Sequence, residues 1–218
     1  MIVVVGSPTG VRHATALASG GIAVAVARSA AEAEAPVQLI GKVGEGSDGD
    51  AVLLDVADAH IGHVAVLRDV ETVIVEANDE DREAPLDRLA GLAIDNPGVD
   101  DDRRAAVFGP GLDAGDLELA LRYLPDYAVV VIAQPLDPAG VAAVVDAARW
   151  AGAKLVSTFA LEGLPDDATV FEAPDENPQG AFATVVGRYA AALDRGVDPR
   201  EAFDEAAAGL GWSPVGSD

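Results

Sequence analysis

The chain has 218 residues, half of them apolar and 5% aromatic, with 37 acidic residues against 14 basic ones. A formal net charge of -23 gives a surface that repels nucleic-acid phosphates and anionic lipid, which excludes both as partners. The absence of cysteine excludes disulfides and thiolate metal sites and fits a reducing interior.

This length suits one domain, 1–218, with a sizeable core. A core made of Val, Ala, Leu and Ile suits a parallel sheet covered by alanine-rich helices. The N-terminus enters "MIVVVG" with no basic region or signal cleavage site, and apolar runs stop short of the ~20 residues of a membrane helix. The expectation is a soluble, cytoplasmic protein whose acidity serves solubility.

Residues 1–6 are an apolar β-branched run ended by Gly6, Ser7 and Pro8, which predicts a buried first strand. Residues 13–34 are rich in alanine and interrupted at Gly20–Gly21, so a helix is expected over Ile22–Glu34. "VQLIGKVG" predicts a second strand turning at Gly44, followed by a helix from Ser47 to His60 with Ser47 or Asp48 as cap. "VAVLRD" and "ETVIVEAN" read as strands, and residues 78–104 as a polar surface loop.

"AAVFGPG" predicts a strand and glycine turn, then a helix over 113–124 capped by Asp113 or Asp116. "YAVVVIAQP" is the most strand-like run of the chain. "DPAGVAAVVDAARWAG" has proline in its first turn and glycine past its end, the asymmetry of a helix. "KLVSTFA" is a strand and "ATVFEAP" a short edge strand. Helices close the chain, over Gly180–Arg195 and from a cap at Asp198. The alternation implies a mostly parallel α/β sheet with helices on both faces.

The segment Ala35–Asp69, with its G-x-V-G turn, acidic-glycine stretch and helix, resembles the first signature of the PfkB, or ribokinase-like, carbohydrate kinases. "MIVVVGSPT" resembles their first strand, and Gly20–Gly21 the glycine pair lying against the substrate. "YAVVVIAQPLDPAGVAAVVDAARWAGAKLVSTFA" is similar to their central strand–helix–strand. The resemblance implies a three-layer ribokinase-like, Rossmann-like fold with a reduced lid. It implies substrate contacts at Ser7, Gly20, Gly21, Gly41, Lys42 and Gly44, and ATP with Mg as cofactors if the kinase reading holds. It also implies a homodimer formed by lid strands, with residues near 64–77 at the contact.

The family's second signature, G-A-G-D, falls without a gap on Gly180, Ala181, Phe182 and Ala183. In the family, the small residues form an anion hole and the aspartate is the base. Here Ala183 cannot accept a proton, and Phe182 crowds the space where backbone N–H groups approach phosphate. Residues 177–192 contain no Asp or Glu, so no shifted placement restores an acid. The family's Asn-x-x-Glu motif is missing after Ala160, and the chain is shorter than usual members. Gly180, Ala181 and Phe182 then read as an anion-hole remnant. The plainer alternative, a simple helix start with Phe182 in the core, stays open.

Other chemistry is weakly supported. His60 and His63 lie three apart in "HIGH", and a helix-end turn is the simpler reading than a metal pair. Asp100–Asp102 reads as a solvated loop rather than a cation site. Ser7 and Ser157 lack a G-x-S-x-G setting, and neither a Walker loop nor a G-x-G-x-x-G fingerprint is present. No catalytic residue and no metal ligand is therefore assigned.

The favoured expectation is a degenerate ribokinase-like protein without kinase activity that keeps a small-molecule role, for a sugar, nucleoside or nucleotide, or a role in self-association. The alternative is an active kinase with a rearranged site using an acid such as Asp175 or Glu176. A third is an unrelated Rossmann-like binding domain.

Overall fold

The computed structural model describes residues 1–13, 16–76, 108–172, 181–208 and 210. Its centre is a six-stranded parallel sheet made of β1 (Ile2–Val5), β4 (Val37–Gly44), β5 (Ile61–Val70), β7 (Val129–Ile132), β8 (Lys154–Ser157) and β9 (Thr169–Val170). The order is β5-β4-β1-β7-β8-β9. β1 and β7 are neighbours, with Ile2 opposite Val129 and Val5 opposite Ile132. Every residue of both strands is buried. Strands covered on both faces lose nothing by being apolar at every position, which is why these two runs do not alternate.

The helices are α1 (Ile22–Glu32), α2 (Ser47–Asp58), α3 (Ala114–Tyr123), α4 (Pro138–Ala151), α5 (Ala181–Asp194) and α6 (Pro199–Ala207). From β1 the chain crosses through α1 to β4 on one side, whereas from β7 it crosses through α4 to β8 on the other. Right-handed crossovers in opposite directions place their helices on opposite faces. α1, α5 and α6 accordingly pack as one layer, and α3 and α4 as another. α5 ends where Asp194 holds the Met1 ammonium at 2.5 Å, at the amino edge of β1. With about 1.5 Å of rise per residue, its first turn therefore lies toward the carboxyl edge of the sheet.

Local signals at the helix ends are realised in detail. Asp113 and Asp116 form a reciprocal capping box, each carboxylate accepting from the other's backbone N–H at 2.9 Å. Asp137 caps α4 through the Gly140 N–H at 2.6 Å, and Gly152 ends that helix in the left-handed conformation. Asp198 caps α6. α2 differs from expectation. Its N-cap is Gly46, with no side-chain cap bond, and Ser47 is already helical.

A second, three-stranded sheet stands on the carboxyl side of the first, in the order β3-β2-β6. It consists of β2 (Thr9–His13), β3 (Ala16–Gly20) and β6 (Ile74–Glu76). β2 pairs antiparallel with β3 and parallel with β6. The hairpin strands β2 and β3 are a correction to the sequence reading, which found only the later strand of this lid. The strand expected in "AAVFGPG" lies for its first three residues outside the described residues, and residues 108–111, with the glycine turn, carry no strand. The polar segment 78–104, Asp175, Glu176 and Gly180 also lie outside the described residues.

Candidate functional site

In an open parallel sheet the connections leaving two neighbouring strands in opposite directions open a crevice at their carboxyl ends. Here those strands are β1 and β7. Gly6 and Ser7 follow β1, and Ala133 and Gln134 follow β7. The buried Gln134 accepts the Ser7 backbone N–H through Oε1 at 2.8 Å and so bridges the two strand ends. Sequence reading did not single out Gln134. Its signal was a polar side chain at the end of an otherwise apolar run.

Ser7 is fully buried, and its hydroxyl is engaged on both sides. It donates to the Pro110 carbonyl at 2.6 Å and accepts from the Lys42 backbone N–H at 2.9 Å. Three segments meet there: the end of β1, the end of β4, and the approach to α3. The meeting needs glycine at Gly41, where a Cβ would stand 2.8 Å from both Gly6 O and Ser7 Cα. It also needs Gly109, whose φ of +68° suits glycine and whose Cβ would meet Ser7 at 2.8 Å. Ser7 and Gly41 are thus brought together, in close backbone packing.

Gly20 joins this group through β2, since it pairs with Thr9, and Gly21 is the N-cap of α1. Thr9 is fully buried, and its hydroxyl has no hydrogen-bond partner among the described residues. Lys42 and Gly44 go elsewhere. The Lys42 ammonium reaches Asp116 Oδ2 at 2.7 Å in α3. Gly44 donates to Thr72 Oγ1 at 3.0 Å and accepts from Arg68 Nη2 at 3.0 Å. Near Lys42, Asp113 is held below its ordinary carboxylate pKa, chiefly by the hydrogen bond from the Asp116 N–H, with the Lys42 charge assisting.

At the start of α5, Ala181, Phe182 and Ala183 are all buried, Phe182 at 1% and Ala183 at 2% exposure. The first turn holds no acidic residue. A phosphoryl-transfer site needs a general base, such as a carboxylate, to take the hydroxyl proton, and open backbone N–H groups for the phosphate. These three residues supply no acid, and the apolar side chains lie in the core. Ser157, the other serine considered, donates to the Phe159 carbonyl at 2.8 Å in the interior. His60 adopts a positive φ of 59° at the turn into β5, as the reading of a helix-end turn expects.

No protein-family model matches the chain, and no curated protein matches its sequence. Solved structures do match. A PfkB protein from Polaromonas is 15% identical, with 94% of this chain and 92% of that chain covered at a TM-score of 0.60. Ribokinase from Arabidopsis thaliana, complexed with ribose and ATP, is 14% identical, with 95% and 90% covered at a TM-score of 0.55. An E. coli protein provisionally classed as ribokinase II, in its apo form, is 13% identical, with 95% and 90% covered at 0.62. The fold is therefore ribokinase-like: a mostly parallel α/β sheet carrying a small lid. Over most of its length the chain resembles the PfkB and ribokinase-like sugar kinases, in a form of 218 residues.

Proposed function

We propose that this is a ribokinase-like protein that binds a small hydroxylated molecule, a sugar or nucleoside, at the carboxyl edge of its sheet without phosphorylating it. One observation carries the reading. The start of α5 presents Ala181, Phe182 and Ala183 as buried apolar residues, with no acid in the first turn. Losing a general base costs about 10²–10⁴ in rate, and losing an oxyanion donor about 10²–10³. The two together bring phosphorylation near background. The binding half of the reading is supported by the crevice at the carboxyl ends of β1 and β7, where Ser7, Gln134 and Gly41 meet.

The test is incubation with Mg-ATP and a panel of sugars and nucleosides, with ADP release as readout. The expected result is background ADP, together with a raised thermal midpoint for at least one sugar or nucleoside alone. Robust turnover overturns the reading in favour of an active kinase using an acid such as Asp175 or Glu176.

Self-association is a second reading, favoured by β5. Among the described residues this strand is an edge of the large sheet, and its Val64 is 77% exposed. An exposed edge of this kind is a template for pairing. A homodimer using residues near 64–77 is expected by light scattering, and a monomer at working concentrations removes it. Among the described residues, no helix is long and apolar enough to cross a membrane.

A further inference from the structure

The lid strands have five, five and three residues, too few for a sheet to be stable by itself. The hairpin joins the body through Pro8 at one end and Gly20–Gly21 at the other. Something beyond its own ladder must fix its position. Cross-strand partners share a face, so Gly10, Arg12, Leu17, Ser19, Ile74 and Glu76 lie on one side of this sheet. That side packs on α2.

Two carboxylates of α2, Asp48 and Asp55, are seven positions and about two turns apart, on one helix face. Asp55 Oδ2 accepts the backbone N–H and the hydroxyl of Ser19, each at 2.6 Å. It also accepts Arg28 Nη2 from α1 at 2.5 Å, and Arg28 Nη2 reaches the Ser19 hydroxyl at 2.9 Å. At the other end of the helix, Asp48 pairs with Arg12 Nη2 at 3.2 Å, and Arg12 Nε faces Glu76 at 3.4 Å. Among the described residues β3 is an edge of the lid sheet, and the Ser19 N–H leaves the ladder toward Asp55. Asp55 satisfies it and closes that edge.

We propose that α2 latches the lid. The Asp55 cluster holds β2 and β3 down on the body, and the lid opens as a unit only when that cluster breaks. Asp48 and Arg12 form a second, weaker point, being more exposed to solvent. Under the reading given above, the latch sets access to the carboxyl-edge site. Its test does not depend on that reading, because no ligand is present in it.

Amide hydrogen exchange on the full chain reads the latch directly, since local opening is reported strand by strand. Asp55→Ala is expected to speed exchange in β2 and β3 by roughly tenfold or more, the scale of one charge-assisted bond. β1, β4 and β7 should keep their wild-type rates. Arg28→Met should act in the same direction, and the double variant should add little to Asp55→Ala. Unchanged rates in β2 and β3 overturn the proposal, as does acceleration shared equally with the central strands. If Asp55→Ala does not fold, Ser19→Ala takes its place, keeping both charges and the backbone bond. A smaller rise confined to the lid supports the latch, and no rise there overturns it.

Discussion

The Lys42 ammonium lies 2.7 Å from Asp116 Oδ2, with the two side chains only 12% and 13% exposed. The pair joins the end of β4 to the first turn of α3, across 74 positions of sequence. Breaking a buried pair from one side strands the other charge away from water. Asp116→Ala is therefore expected to cost roughly 3 kcal/mol. Part of that is lost capping, since Asp116 also accepts the Asp113 N–H. Lys42→Met combined with Asp116→Leu should cost less than the sum of the singles in urea unfolding. Strict additivity counts against the pair as a structural tie.

Asp113 gives a pH prediction. Its folded pKa lies below its ordinary value of 3.8, with the Asp116 N–H bond as the first cause. A depressed carboxylate contributes stability that is present above the unfolded pKa and lost as pH falls through the folded one. Asp113→Ala should therefore lower the thermal midpoint by a constant amount from neutral pH down to about 4, using the ordinary carboxylate value. The gap from wild type should then close at lower pH. A gap that persists at pH 2 would mean that the carboxylate's charge is not what matters.

α1 and α5 cross at Gly187. A Cβ there would stand 2.6 Å from the Val26 carbonyl oxygen and 2.6 Å from Ser29 Cβ. Backbone atoms cannot step aside as a flexible side chain can, so Gly187→Ala must push the helices apart. The gain in helix propensity, about 1 kcal/mol, is smaller than overpacking at about 1–3 kcal/mol. A lower midpoint is expected by calorimetry, and a higher one overturns the close crossing.

Restoring the family motif should not restore the family chemistry. Phe182→Gly removes a fully buried ring, at about 3–5 kcal/mol by analogy with phenylalanine-to-alanine changes. Ala183→Asp adds a carboxyl group to a position only 2% exposed, at further cost. The double variant is expected to melt well below wild type and to show no ATP binding in a titration. A stable variant that binds ATP would show an open anion site beneath α5.

Salt should stabilise this protein. A net charge of -23 makes general self-repulsion larger than the few half-exposed ion pairs that screening weakens. The thermal midpoint should rise between low salt and 1 M NaCl, and a fall would mean that the ion pairs dominate.

The strands β1 and β7 were legible as continuous apolar runs because both of their faces are covered, and burial leaves its mark on every residue. The ends of α4 were legible too, because Asp137, Pro138 and Gly152 act within one turn of chain. The likeness to the sugar kinases was legible in particular segments, above all Ala35–Asp69 and the central strand–helix–strand. The hairpin of β2 and β3 was not. Its alanines and glycines have no strand preference of their own, and it forms by pairing with β6, more than fifty positions later, and by resting on α2.

The site residues divide in the same way. Sequence pattern placed the turn after the second strand at Gly44, where β4 ends, and marked Ala183 as a position with no acid in reach. Only the tertiary structure decided what Ser7 and Lys42 touch. Sequence placed both among ligand contacts, yet the Ser7 hydroxyl ties the Pro110 carbonyl to the Lys42 N–H, and the Lys42 ammonium turns to Asp116. Ser7 and Gln134 meet across 127 positions. Caps and turns depend on atoms a few residues apart and are written locally. Hydrogen bonds between distant strand ends depend on which strands become neighbours, and that follows from burying the whole sheet at once.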